Sequence, residues 1–130
     1  MKLESLDFLY MPSSDPAAEL EYFERVLGAQ VAFAIEAFGT RVAMVRPADG
    51  PPALLLAGHL EGERPVLVYR VASLAGAVAE LEQAGGEAGP EFGIPHGPVR
   101  EVELPGGHRL AIYELRRPGA AEHLEGRRDY

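Results

Sequence analysis

The sequence predicts an α+β domain built from two tandem β-α-β-β-β modules. Three observations carry that prediction. Strand-like apolar runs occur in the same order twice, and one amphipathic segment follows the first run of each half. Sliding the chain on itself by 58 positions brings Gly28 onto Gly86, Gly39 onto Gly97 and Pro47 onto Pro105. These are a helix stop and two hairpin turns in each half, positions set by backbone geometry rather than composition. Finally, 130 residues with 47% hydrophobic content suffice for a core without disulfides, and the chain has no cysteine.

Each element has a local reason. Leu6 to Met11 reads as a strand ended by Pro12. Ser13-Ser14-Asp15-Pro16 is a helix start: Asp15 caps free backbone donors, with Ser14 as the alternative, and Pro16 fits the first helical position. Leu20, Phe23, Val26 and Leu27 fall on one helical face, and Gly28 ends the helix. Val31 to Phe38 is strand-like, with Val31, Phe33 and Ile35 on one face. Gly39-Thr40 turns the chain into a strand over Arg41 to Arg46. A turn cluster from Pro47 to Pro52 precedes Ala53 to Ala57, expected as a short edge strand in need of cover.

The second half follows the same plan. Val66 to Val71 is a strand, and Ser73 caps a helix running to about Ala84 with Leu74, Val78 and Leu81 on one face. Gly85-Gly86 stops it. Glu87 to Phe92 is a weak strand, Gly93 to Pro98 a loop, and Val99 to Leu104 a strand. Pro105-Gly106-Gly107 turns into a last strand from Arg109 to Leu115. The expected organisation is one domain over residues 1–116, with repeats at about 5–58 and 64–116, then a loose polar C-terminal tail over 117–130.

Charge narrows the partners. Twelve basic against twenty acidic residues give a formal charge of -8, and no basic patch suited to nucleic acid is visible. No apolar run is long enough to span a membrane. Met1-Lys2-Leu3-Glu4 does not open an export signal, so a cytoplasmic location is expected.

The doubled order resembles the vicinal-oxygen-chelate superfamily, which includes glyoxalase I, extradiol dioxygenases, fosfomycin resistance enzymes and bleomycin-binding proteins. The resemblance rests on Ser-Asp-Pro (14–16) opening the first helix and Phe-Glu-Arg-Val-Leu-Gly (23–28) closing it. Leu-Pro-Gly-Gly-His-Arg-Leu-Ala-Ile-Tyr-Glu (104–114) adds the last turn and strand. It implies curved mixed sheets around a cleft, and in the metal-dependent members a divalent ion held by His, Gln or Glu on the first and last strands. The matching positions here are Phe8, Ala53, Val66 and Ala111, none of which offers a lone pair to a metal. A one-residue slip offers Asp7 or Leu9, Pro65 or Leu67, and Leu110 or Ile112, which makes no ligand set and reverses every side chain. No metal and no cofactor are expected.

If positions 8, 66 and 111 face the cleft, alternation turns Tyr10, Val68, Arg70 and Tyr113 the same way. The candidate ligand-binding set is therefore Tyr10, Arg70, His96, Tyr113, Phe8 and Val68, with His96 in the loop before the seventh strand. A buried guanidinium needs an anion, and Glu101, Glu103 or the ligand are the choices at this stage. His59, His96, His108 and His123 have no metal-ligand spacing, and no nucleophile elbow or phosphate loop occurs. The function expected is metal-free binding of a small aromatic or amphipathic molecule by a homodimer. The alternatives are a lyase, isomerase or dioxygenase of the same superfamily with a non-standard site, and a structural or regulatory interaction module.

Overall fold

The computed structural model describes all 130 residues and divides into two compact units. The first module comprises Phe8–Pro65 and His123–Tyr130; the second comprises Met1–Asp7 and Val66–Glu122. The strands are β1 (Ser5–Pro12), β2 (Gln30–Ala37), β3 (Thr40–Arg46), β4 (Ala53–Ala57), β5 (Val66–Val71), β6 (Ala88–Ile94), β7 (Gly97–Glu103) and β8 (Arg109–Glu114). The helices are α1 (Pro16–Glu21), which continues as a π-helical turn over Tyr22–Val26, and α2 (Leu74–Gln83). No helix is long and apolar enough to cross a membrane.

Both modules weave their strands alike. The order is β2-β3-β4-β1 in the first and β5-β8-β7-β6 in the second. In each, the first and last strands run parallel and the others antiparallel. Each helix covers one sheet face. Leu20 packs with Ala34, Ala43, Val45 and Leu56 in the first module; Leu74 and Ala77 pack with Val71, Val102 and Ile112 in the second. Both predicted caps form: Asp15 accepts from Ala18 N at 3.2 Å, and Ser73 accepts from Gly76 N at 3.1 Å.

Six local expectations change. Val26 and Leu27 do not share the buried face of Leu20; they are 50% and 56% exposed. The cause is the π turn, in which Leu27 N bonds Tyr22 O at 3.2 Å, five residues back, so the apolar stripe slips out of register. Val31 does not share a face with Phe33: a register shift between them leaves Val31 packed beside Ala34 on the helix-side cluster. The β2–β3 turn is Phe38-Gly39, both left-handed (φ 52° and 74°), with Phe38 fully exposed. The loop expected over Gly93 to Pro98 is a tight hairpin, because Ile94 pairs with Gly97. Glycine is required at 97: a Cβ there would lie 2.0 Å from Glu114 O. β4, expected as an edge in need of cover, lies between β1 and β3. Finally, the tail is not loose, since residues 126, 127 and 129 hydrogen-bond to β2.

Candidate functional site

The polar site residues of the second module gather around a carboxylate. Arg70, next to last on β5, sits opposite Tyr113 of β8 in the parallel ladder. Val71 and Ile112 face α2, so alternation turns Arg70 and Tyr113 to the other face. Tyr113 is only 1% exposed, and its hydroxyl donates to Asp7 Oδ2 in a short hydrogen bond. Ser5 Oγ donates to Asp7 Oδ1 at 2.6 Å. Arg70 Nε stands 3.6 Å from Asp7 Oδ2 and 3.9 Å from Glu4 Oε1. That Nε is buried and makes no hydrogen bond, although the side chain as a whole is 37% exposed.

His96 occupies the β6–β7 hairpin on the same module. Its carbonyl accepts from Arg116 N at 2.9 Å and Arg117 N at 3.0 Å, and Arg117 Nε donates to Pro95 O at 2.6 Å. Burial holds the imidazole below its ordinary pKa; the Asp7 charge opposes that shift and the Arg117 charge reinforces it. The ring therefore favours its neutral form, a donor and acceptor rather than a cation.

The apolar candidates are split between the modules, and only Val68 belongs to the module that holds Arg70. Val68 is buried on β5, opposite Ala111. Phe8 and Tyr10 belong to the first module, where their rings meet edge to face with centroids 6.4 Å apart. Burial raises the Tyr10 phenol above its ordinary pKa.

The structure changes the identity of the Arg70 counter-charges. Neither Glu101 nor Glu103 supplies them. Glu101 lies 4.0 Å from Arg109, and Glu103 is exposed. The carboxylates are Asp7 and Glu4, which sequence reasoning passed over. The signal was present: an aspartate interrupts an otherwise apolar strand, where an unpaired charge is costly. Arg117 was missed for the opposite reason, because a charged pair beyond the last strand reads as solvated.

A divalent ion does not fit these residues. Phe8 pairs with Ala53 across β1 and β4. The same pairing in the second module joins Val68, not Val66, to Ala111, a two-residue displacement that keeps the face. Every one of these side chains is a hydrocarbon, so the donor chemistry is missing whichever pairing is chosen. No group of three or more His, Asp or Glu side chains is placed to hold a metal.

No protein-family model matches the chain, and no curated protein matches it. Solved structures do. Methylmalonyl-CoA epimerase from Mycobacterium tuberculosis superposes with a TM-score of 0.71 at 17% identity, over 93% of this chain and 97% of that one. A hypothetical protein from Bacillus halodurans gives 0.71 at 13% identity, over 87% and 95%. A variant of the Streptomyces coelicolor methylmalonyl-CoA epimerase, in complex with 2-nitronate-propionyl-CoA, gives 0.70 at 16%, over 89% and 100%. The chain has the vicinal-oxygen-chelate fold.

Proposed function

We propose that this protein is a metal-free small-molecule binder whose ligand has an apolar or aromatic body and one anionic group directed at Arg70. The observation that carries the reading is the guanidinium itself: its Nε is buried without a hydrogen bond, and its nearest carboxylate oxygens lie at 3.6 and 3.9 Å. A guanidinium is strongest as a bidentate donor to a planar anion, a role that Asp7 does not fill while it accepts from Tyr113 and Ser5. Within the second module Val68 is proposed as an apolar contact, with Tyr113 and neutral His96 as polar ones. The working form is proposed to be a cytoplasmic homodimer, for which light scattering returns twice the 14.0 kDa chain mass.

Two matched probes test this. Benzoate and benzylamine share a ring and differ in charge. In amide NMR titrations, benzoate shifts resonances around Arg70 and Tyr113, and Arg70→Ala weakens its binding about tenfold or more. Binding of benzylamine instead, lost in Asp7→Asn, overturns the anionic half of the proposal. No response to either probe overturns the site.

A second reading, a metal-free isomerase, draws on the epimerase neighbours and on the Tyr113–Asp7 hydrogen bond. Proton transfer beside a carbonyl needs a base and an acid in reach. Here Asp7 already accepts from two donors, which suits a fixed anion better than a base. Incubation of methylmalonyl-CoA in D2O separates the readings: binding leaves C2 without deuterium, whereas exchange abolished by Asp7→Asn establishes the isomerase.

A further inference from the structure

The outer edge of β2 is closed by the chain's own last residues. Ala34 N donates to Arg127 O at 2.8 Å, and Asp129 N donates to Ala34 O at 2.7 Å. Gly126 N donates to Ala32 O at 2.7 Å, and Glu36 N donates to Asp129 Oδ2 at 2.9 Å. Backbone groups on the side away from β3 are thus engaged at 32, 34 and 36, every second residue. Side chains fasten the same segment. Arg46 holds Glu125 with two bonds of 2.8 and 3.1 Å, and Arg128 reaches Glu24 at 3.1 Å. The Arg41 guanidinium stands 4.8 Å over the Tyr130 ring, which packs on the module's core.

β2 has little protection of its own beyond the register shift after Val31. Its sequence, QVAFAIEA, contains no proline, lysine or arginine and a single acid. An edge of that composition is a template for another strand. β6, its counterpart in the second module, is built differently. It carries Pro90 beside Glu91, next to a register shift of the kind that β2 also has. Among the devices that discourage edge pairing, the proline is the one that β2 lacks altogether.

We propose that residues 124–130 are the guard of the β2 edge, and that the partner they exclude is a second copy of this chain pairing β2 to β2. A twofold axis at Phe33 sets Ala34 opposite the partner's Ala32 and Glu36 opposite the partner's Gln30. Small side chains meet, no like charges face each other, and the hydrogen-bonding groups now used by the tail are the ones such a pair needs. The inference is independent of the ligand site.

The test loosens the guard without deleting it. The double variant Glu125→Arg and Arg128→Glu sets like charges against Arg46 and Glu24. Amide exchange at Ala34 and Glu36 accelerates about tenfold or more, while Phe33 and Ile35, whose amides point toward β3, stay protected. Light scattering then shows at least twice the mass that the unaltered protein shows in the same measurement. Truncation after His123 gives the same mass, and adding Glu36→Pro, which removes an outward donor, lowers it again. Unchanged exchange at Ala34 and Glu36 overturns the guard. Faster exchange with no gain in mass overturns the second copy as partner. Loss of protection along the whole of β2 overturns both, because the tail is then only a general stabiliser.

Discussion

The two modules share a weave and differ in what they carry on the face away from the helix. Where the second module sets Arg70 beside Tyr113, the same ladder position in the first sets Tyr10 beside Leu55. One face gathers a carboxylate, a phenol, a guanidinium and an imidazole; the other buries Phe8, Phe33, Met44 and Leu55. Turns and caps hold the topology in both, so the residues of that face are free to diverge. Chemistry is a property of the face and not of the fold.

The sharpest way to break the comparison is at the paired hairpin glycines. Gly97→Ala forces a Cβ to within 2.0 Å of the Glu114 carbonyl. It should cost roughly 2–4 kcal/mol, read as a shift of the urea midpoint. Gly39→Ala meets nothing within 4 Å and strains only a φ of +74°. It should cost about 1 kcal/mol. Equal losses would mean the two turns are structurally interchangeable.

Next come the phenols. Asp7→Ala removes the acceptor of the Tyr113 hydroxyl inside the second module, and about 1–3 kcal/mol of stability should go with it. Tyr10→Phe, at the equivalent of Arg70, should fall within about 0.5 kcal/mol. If Tyr10→Phe costs as much as Asp7→Ala, the first module holds a polar network of its own.

Arg70→Ala should change stability by about 1 kcal/mol or less, because the side chain is 37% exposed and water screens its pairs with Asp7 and Glu4. A larger loss would make the guanidinium structural and weaken its case as a ligand anchor. The smallest effect concerns pH. His96 has a folded pKa below its ordinary 6.5, so in the window beneath that value the unfolded chain binds more protons than the native one. Stability should fall as pH drops through 6.5, and His96→Gln should flatten that slope in midpoints measured across the window. An unaltered slope assigns the dependence to other groups.

Much of the order of elements along the chain was legible because it is written in residues with one physical use. Asp15 and Ser73 are caps, and Gly28 and Gly85 take the left-handed backbone that ends a helix. The π turn at Tyr22–Val26 and the irregularity after Val31 were not legible. Both insert one residue into an otherwise regular period, and that insertion is fixed by packing rather than by a residue type. For the site, strand alternation together with the family positions that the resemblance implied placed Arg70 and Tyr113 on one face. It gave no access to Asp7, because which neighbour a strand's polar residue meets depends on sheet order. The tail was misjudged for a related cause. Its polarity signals solvent, whereas its backbone supplies the hydrogen bonds.

The first module takes residues 123–130 from the far end of the chain, and the second takes residues 1–7 from the near end. A ribosome making protein at ~5–20 residues per second needs about 3–13 s to travel from Pro65 to Tyr130. Through that interval β1 to β4 exist without their closing segment, and Ala32, Ala34 and Glu36 present an open edge. A nascent chain must therefore wait on the codons for residues 123–130 before the sheet of β1 to β4 is finished, and crowded translation of one message is where neighbouring copies would first meet.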